Sequence, residues 1–306
     1  MTTNQTASAT RDSAGSPPGF VFFLPNMATV KIHQIYYSAA TRDQLDPGFF
    51  ALDNLANERP DWREYWPIRR YLLENPPQGD EFIGFFSPKF AEKTGLQSIE
   101  VQDFVTRHAV GTDVILFSPF FDQIAAYWNI FEHGMNHHPG IFDTFKLAAN
   151  ELVPGVTLET MTTDSRNTVF SNFFVARPSF WKEWLVKNEI LFAIAEEGNS
   201  DLATRLNAPV KYADRDLPAK VFMMERVATL MLATDARWRV HVRDPLLGWR
   251  DPLFHPFRLE LICMDALKIA STTRETGEYR LAYRFIRNQM AQQSKANFEA
   301  GQKKKR

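Results

Sequence analysis

Three short apolar runs constrain the fold most: Val30–Tyr37 (VKIHQIYY), Asp80–Phe86 with its centre FIGFF, and Val114–Phe117 (VILF). Each has the length of a strand, and polar or turn-forming residues bound each one. Segments of helical spacing separate them. Trp62–Asn75 stops at Pro76-Pro77, and Ser98–His108 opens on a capping serine and turns Val101, Phe104 and Val105 to one side. Strands alternating with helices build a sheet covered by helices, so the expected class is α/β with a mostly parallel central sheet. Val114–Phe117 is apolar throughout, as a central parallel strand should be. Gly84 inside the second run marks a close approach by a ligand or another backbone.

The rest of the chain divides around this frame. Residues 1–26 are rich in Thr, Ser, Ala and Gly and read as a disordered N-terminal segment. Residues 27–245 form the α/β domain. Residues 246–306 form a C-terminal extension of two helices, Phe257–Thr273 and Gly277–Gln293, with a basic run at Lys303–Arg306 that reads as a solvated tail. Within the domain, Ala39–Asp61 reads as a polar loop with a turn at Asp46-Pro47-Gly48. Phe120–Glu132 reads as an aromatic-rich helix broken at Gly134, with a loop over Asn136–Gly140. Ile141–Leu152 is a further helix, Asn199–Arg215 is irregular, Val221–Ala233 is one apolar helix, and Arg237–Arg243 is an edge strand.

Composition excludes several classes. A chain of 306 residues with 44% apolar content can bury a large single core. A net charge of −1 gives no global field toward nucleic acid. No apolar run approaches the roughly 20 residues that cross a bilayer. The N-terminus lacks the basic and apolar regions of a secretory signal, which favours a cytoplasmic location. The lone Cys263 lies among Leu261, Ile262 and Met264 and reads as a buried, inert thiol.

Motifs are sparse. G-x-G-x-x-G, G-x-x-x-x-G-K-[ST], H-E-x-x-H and G-x-S-x-G are all absent. The stretch Met161–Leu185 concentrates polar chemistry. Thr168–Val175 reads as a buried strand ended by Arg177-Pro178, and Ser179 caps the helix that follows. Asp164, Ser165, Arg166 and Asn167 then stand on the loop entering the strand, and Asn172 stands within it. In open α/β sheets such positions line clefts. The competing reading pairs Arg166 and Arg177 with surface acids. His133 and His137 have the i, i+4 spacing of a helical metal pair, but the Asn-His-His-Pro sequence around them argues for a loop and a pocket histidine. Asp214-Arg215-Asp216 has the spacing that admits Mg²⁺ or Mn²⁺, yet a triplet of this kind arises by chance at this aspartate content, and no metal ligand is assigned. Glu225 sits in an otherwise apolar helix, where a carboxylate is costly. It either pairs with Arg226 or another arginine, or acts as a base or sugar ligand with a raised pKa.

The order of these elements resembles a known family. The strand IHQIYY, the helix EYWPIRRYL, the strand EFIGFFSPKF, the strand DVILFSPF, the segment SNFFVARPSFW and the helix VFMMERVATLML follow one another as in bacterial capsule and lipopolysaccharide glycosyltransferase-like proteins of the GT-A fold. The resemblance spans Lys31–Ala233. It implies a GT-A-like, Rossmann-related sheet and a hexosyltransferase that moves a sugar from a nucleotide-diphosphate-sugar donor to a surface polysaccharide or lipid-linked glycan. It places Tyr36, Tyr37, Glu64, Arg69 and Ser87 on the donor, with Asn172 facing the sugar. Glu225 and Asp164 are the catalytic candidates. In the family a D-x-D ends the strand that here reads Phe82–Phe86. This chain has Ser87-Pro88-Lys89 there, which implies a metal-independent site where Lys89 or Arg166 neutralises the leaving diphosphate. The rival reading is a non-catalytic glycan- or nucleotide-binding or assembly protein of the same architecture. The expected location is cytoplasmic, peripheral at the inner membrane, with no nucleic-acid partner.

Overall fold

The computed structural model describes residues 29–212, 215–248, 255–274 and 276–303, with side chains described as far as 297. The expected N-terminal segment 1–26, Asp214 and the last three residues of the basic run lie outside the described residues.

In chain order the first elements are β1 (Val30–Tyr36), α1 (Ala39–Arg42), β2 (Phe50–Asp53), α2 (Tyr65–Glu74), β3 (Phe82–Phe86), α3 (Phe90–Thr94), α4 (Ser98–His108) and β4 (Val114–Leu116). Next come α5 (Phe121–Ala126), α6 (Ile130–His137), α7 (Phe142–Leu152), β5 (Phe174–Ala176), α8 (Pro178–Glu197) and α9 (Asp201–Asn207). The hairpin β6 (Pro209–Tyr212) and β7 (Arg215–Pro218) leads into α10 (Ala219–Met224), α11 (Val227–Thr234) and β8 (Val240–Val242). The chain continues through α12 (Pro245–Gly248), α13 (Arg258–Thr273) and α14 (Glu278–Lys303).

Six strands form the central sheet in the order β2-β1-β3-β5-β4-β8, and β6-β7 is a separate two-stranded sheet. β5 runs antiparallel to both of its neighbours, while the other pairings in the central sheet are parallel. The fold is therefore α/β with a mostly parallel sheet. The period of two in β3 sends Phe82 and Phe86 to one face and Ile83 and Phe85 to the other. The first pair packs with Phe90, Val101 and Val105 of α3 and α4. The second pair faces the larger core, where Trp181 and Trp184 of α8 are fully buried. Gly84 serves the close approach of β5: a Cβ there would lie 3.0 Å from Val175 Cγ2 and 3.3 Å from the Phe174 carbonyl.

Several elements differ from expectation, each for a local reason. β2 lies within the expected loop Ala39–Asp61. Its residues are mostly exposed, so an edge strand paired only with β1 leaves no apolar signature. β5 has three residues instead of eight, because Ser171 and Asn172 take left-handed backbone (φ 58° and 53°) and break the strand before it starts. The expected helix Phe120–Glu132 is two helices. Asn129 separates them and caps α6, accepting from the N–H groups of Phe131 and Glu132 at 2.9 and 2.8 Å. α6 then runs through Gly134 to His137, where a loop was expected. The apolar helix Val221–Ala233 breaks at Glu225-Arg226 into α10 and α11. α4 is capped by Gln97 with Glu100, while the Ser98 hydroxyl donates to Asp46 at 2.6 Å. Cys263 is exposed on α13 instead of buried.

The C-terminal helices are fastened to the sheet domain by polar contacts. The buried Lys268 ammonium on α13 donates to the carbonyls of Ile124, Tyr127 and Thr163. Asp265 accepts from the Ser165 N–H at 3.0 Å and from its hydroxyl at 2.6 Å.

Candidate functional site

The carboxyl ends of β1, β3 and β4 and the turn entering β5 border a cavity of about 550 Å³. Ligands bind outside the carboxyl ends of strands in open α/β sheets, so the position itself is informative. Tyr37 follows β1, Ser87 and Lys89 follow β3, Gln123 stands on α5, and Phe170 and Ser171 precede β5. The opposite wall comes from His133 and His137 of α6, Lys211 and Tyr212 of β6, Arg215 of β7, and the α10–α11 junction at Glu225 and Arg226. A smaller pocket of about 40 Å³ adjoins it through Tyr37, Arg63 and Glu64, and adds Asn54 and Asn57.

Strained backbone concentrates here. Among the described residues, the non-glycine positions with left-handed φ are Asn57, Arg63, Phe120, Ser171 and Asn172. Arg63, Phe120 and Ser171 line the cavity, Asn57 lines the smaller pocket, and Asn172 follows Ser171. Each such conformation costs on the order of 1–3 kcal/mol and collects at sites where geometry matters more than stability.

Charge concentrates as well. Six cations line the cavity (Arg63, Lys89, Lys93, Lys211, Arg215 and Arg226) against two carboxylates, Glu64 and Glu225. The whole chain carries −1, so this is a local departure from neutrality. None of the six forms an ion pair with a described residue. Lys93 donates to the Ser171 hydroxyl at 2.8 Å. A lining of this kind favours an anionic ligand.

Glu225 carries no side-chain hydrogen bond or ion pair among the described residues. Burial, and then the like charge of Glu64, push its pKa above the ordinary glutamate value, against the pull of Arg226, Lys93 and Arg63. A carboxylate so placed can take up a proton from a bound hydroxyl. Arg226 is only 4% exposed. Its Nε donates to the Ile130 carbonyl at 3.2 Å and its Nη1 to the Phe222 carbonyl at 2.7 Å. Burial draws its pKa down to about 10.

The histidines form a neutral wall. Burial and then Arg226 press His133 down to about 2, so its imidazole is uncharged at physiological pH. Its Nε2 lies 2.8 Å from the Gln123 amide oxygen and therefore donates, which leaves Nδ1 without a partner. His137 Nδ1 donates to the His133 carbonyl at 2.9 Å. His138 Nδ1 donates to the Lys211 carbonyl at 3.0 Å, tying α6 to the β6–β7 hairpin, and its ring lies 4.0 Å from that of Phe222.

Of the residues singled out in the sequence, Tyr37, Glu64, Ser87, Lys89 and Glu225 come together on the cavity wall. The Ser87 hydroxyl is buried without a partner. Asn172 is 5% exposed, adjoins the wall at Ser171, and has an unbonded Oδ1. The others lie elsewhere. The Tyr36 side chain is buried at the end of β1 and does not line the cavity. Arg69 makes a two-pronged contact with Glu189 at 2.6 and 2.8 Å and stacks over Phe192. Asp164 is fully buried and binds the Arg166 guanidinium at 3.0 and 2.8 Å and its N–H at 2.9 Å. Arg166 also donates to Thr272 at 2.7 Å, so this pair ties the Met161–Leu185 loop to α13 instead of facing a ligand. Of the two proposed substitutes for a metal, Lys89 alone lines the cavity. Asp216 sits opposite Lys211 in the hairpin register, and Asp214 lies outside the described residues. Among the described residues no group of three or more His, Cys, Asp or Glu side chains is arranged to hold a metal ion.

Arg63, Lys93, Lys211, Arg215 and Arg226 carry no motif and converge only through the fold. The Arg226 signal, a charge inside an apolar helix, was visible beside Glu225.

No protein-family model, curated protein or solved structure matches the chain.

Proposed function

We propose that the chain is a glycosyltransferase that binds a nucleotide-diphosphate sugar in this cavity and passes the sugar to a glycan or lipid-linked acceptor of surface polysaccharide synthesis. The observation that carries the reading is a cavity at the carboxyl ends of parallel strands where six cations without ion-pair partners surround an unpaired Glu225. The nucleoside end lies in the main cavity against Tyr37, at the side where the smaller pocket adjoins it. The diphosphate lies against Arg63, Lys89 and Lys93, and these cations offset the charge that develops as the bond to the anomeric carbon breaks. Glu225 takes the proton of the acceptor hydroxyl while its oxygen forms the new bond to that carbon. The leaving nucleoside diphosphate carries away the bonding electron pair. Lys89, standing where the family places a carboxylate pair, makes the reaction metal-independent.

The cytoplasmic face of a membrane is the proposed location. Among the described residues no helix is long and apolar enough to cross a membrane. Residues 278–306 contain eight basic and two acidic residues in a chain of net charge −1. On α14, Leu281 and Phe285 stand one turn apart and are 58% and 62% exposed. Apolar anchors beside excess positive charge suit an anionic lipid surface.

Incubation with a panel of nucleotide sugars, with and without Mn²⁺, tests the function. Donor hydrolysis or transfer supports it. Binding without turnover assigns the rival role of a binding or assembly protein, and absence of binding to every nucleotide overturns both.

A further inference from the structure

Arg226 is held in place by several contacts although it forms no ion pair with a described residue. The guanidinium carbon lies 4.8 Å from the centre of the Phe145 ring. Two of its nitrogens are spent on the carbonyls of Ile130 and Phe222. Nη2 donates to no described residue. Gly134 makes the arrangement sterically feasible: a Cβ there would fall 2.8 Å from Nη2, 3.1 Å from Cζ and 2.6 Å from Phe145 Cε2. The helix backbone, one aromatic ring and two carbonyls therefore hold the guanidinium in a fixed plane. The neighbouring acid, Glu225, attracts it through space but forms no ion pair or hydrogen bond with it.

A buried cation without an ion-pair partner is costly, and proteins retain one where something else supplies negative charge at hydrogen-bond range. Arg226 lines the cavity, so that supply comes from a ligand. A planar guanidinium with a free nitrogen suits an oxyanion better than an ammonium would. Lys89, in contrast, lines the same cavity with an exposed side chain.

We propose that Arg226 is an oxyanion-binding residue on the inner wall of the cavity, and that Gly134 is the positioning residue that admits its guanidinium. This deepens the donor reading, on which only the source of the anion rests: the diphosphate of the donor, or a carboxylate on its sugar ring.

The test measures binding by calorimetry and thermal shift with three probes, inorganic pyrophosphate, uridine diphosphate and glucuronate. The proteins are the full chain and its Arg226→Met, Arg226→Gln and Gly134→Ala variants, with circular dichroism as a check on folding. At least one probe is expected to raise the melting temperature of the parent chain. Its affinity should fall tenfold or more in both Arg226 variants and in the same direction in Gly134→Ala. Loss on pyrophosphate and uridine diphosphate together marks the phosphate source, whereas loss confined to glucuronate marks a carboxylate. If a probe binds through Arg226 while every nucleotide sugar fails to bind, the donor reading falls and this site stands. The proposal is overturned if none of the three anions binds the parent chain at millimolar concentration, or if folded Arg226 variants bind them as the parent does.

Discussion

Glu225 and Arg226 are adjacent in the chain, carry opposite charges, and do not pair. α10 ends at Met224 and α11 begins at Val227, so Glu225 and Arg226 form the break between the two helices. Arg226 reaches back to the carbonyls of Phe222 and Ile130, while Glu225 is left without a hydrogen-bonded partner on the cavity wall. Burial and the like charge of Glu64 raise the pKa of this acid, which stands beside a fixed cation, a combination found at functional sites.

The first prediction concerns Glu225→Gln. A broken buried ion pair would cost about 3–5 kcal/mol, but no such pair exists here. The variant should keep its melting temperature or gain slightly, because a desolvated charge is removed. Transfer should fall by about 10²-fold or more if Glu225 is the base. Unfolding midpoint and turnover measured on the one variant separate the roles, and a fully active variant would rule out the base.

A second prediction follows from its titration. The folded pKa of Glu225 is raised, so its contribution to stability is fully present below the unfolded value and is lost as pH rises through the folded pKa. Activity runs the other way, since only the ionised base accepts a proton. The acid limb of kcat/KM should lie above the ordinary glutamate pKa and vanish in Glu225→Gln, whose residual rate should be flat over the same range. An acid limb retained in that variant assigns the titration to another group.

His133 gives the opposite sign. Its folded pKa is lowered to about 2, so the stability it contributes is fully present above the unfolded value of 6.5 and is lost as pH falls toward the folded pKa. Below pH 6.5 the unfolded chain takes up a proton that the folded chain refuses, at about 1.4 kcal/mol per pH unit for a single group. His133→Gln should be less sensitive than the parent between pH 6.5 and 5 in denaturant titrations. Parallel curves would show that His133 is more open to water than its 8% exposure implies.

Much of this architecture was legible in the sequence because burial writes itself into short apolar runs. The runs Val30–Tyr37, Asp80–Phe86 and Val114–Phe117 read as strands and contain β1, β3 and β4, and α2, α4, α7 and α8 stood out by their spacing and stops. Tyr37, Glu64, Ser87, Lys89 and Glu225 were legible as site candidates because they follow strand ends, open a helix or interrupt an apolar helix. What stayed hidden depends on tertiary geometry. β2 is an exposed edge with no pattern to read. The left-handed Phe120, Ser171 and Asn172 sit where no glycine announces a turn. Arg69, Asp164 and Arg166 looked functional because polar residues near strand and helix ends are ambiguous between a cleft and a structural tie, and only their partners Glu189 and Thr272 decide. The cavity cations arrive from five separate segments, so no local window contains the cluster.

The last prediction separates that structural tie from the site. Asp164 is fully buried, and its partner Arg166 has a half-exposed side chain. Replacing Asp164 with Asn removes charge-assisted bonds at two guanidinium contacts and weakens the turn that accepts the Arg166 N–H. Hydrogen bonds to charged groups contribute roughly 1.5–3 kcal/mol, and exposure of the arginine places the expected loss at the lower end. The melting temperature should therefore drop. Because neither residue lines the cavity, binding of a nucleoside diphosphate should be unchanged at temperatures where the variant is folded. Lys89→Met should show the reverse, with weakened binding and an unchanged melting temperature, since Lys89 is exposed and makes no hydrogen bond to a described residue. The two variants compared in one calorimetric series decide the matter. If Asp164→Asn loses binding while Lys89→Met retains it, the anion site lies on the Met161–Leu185 loop and the cavity has been misassigned.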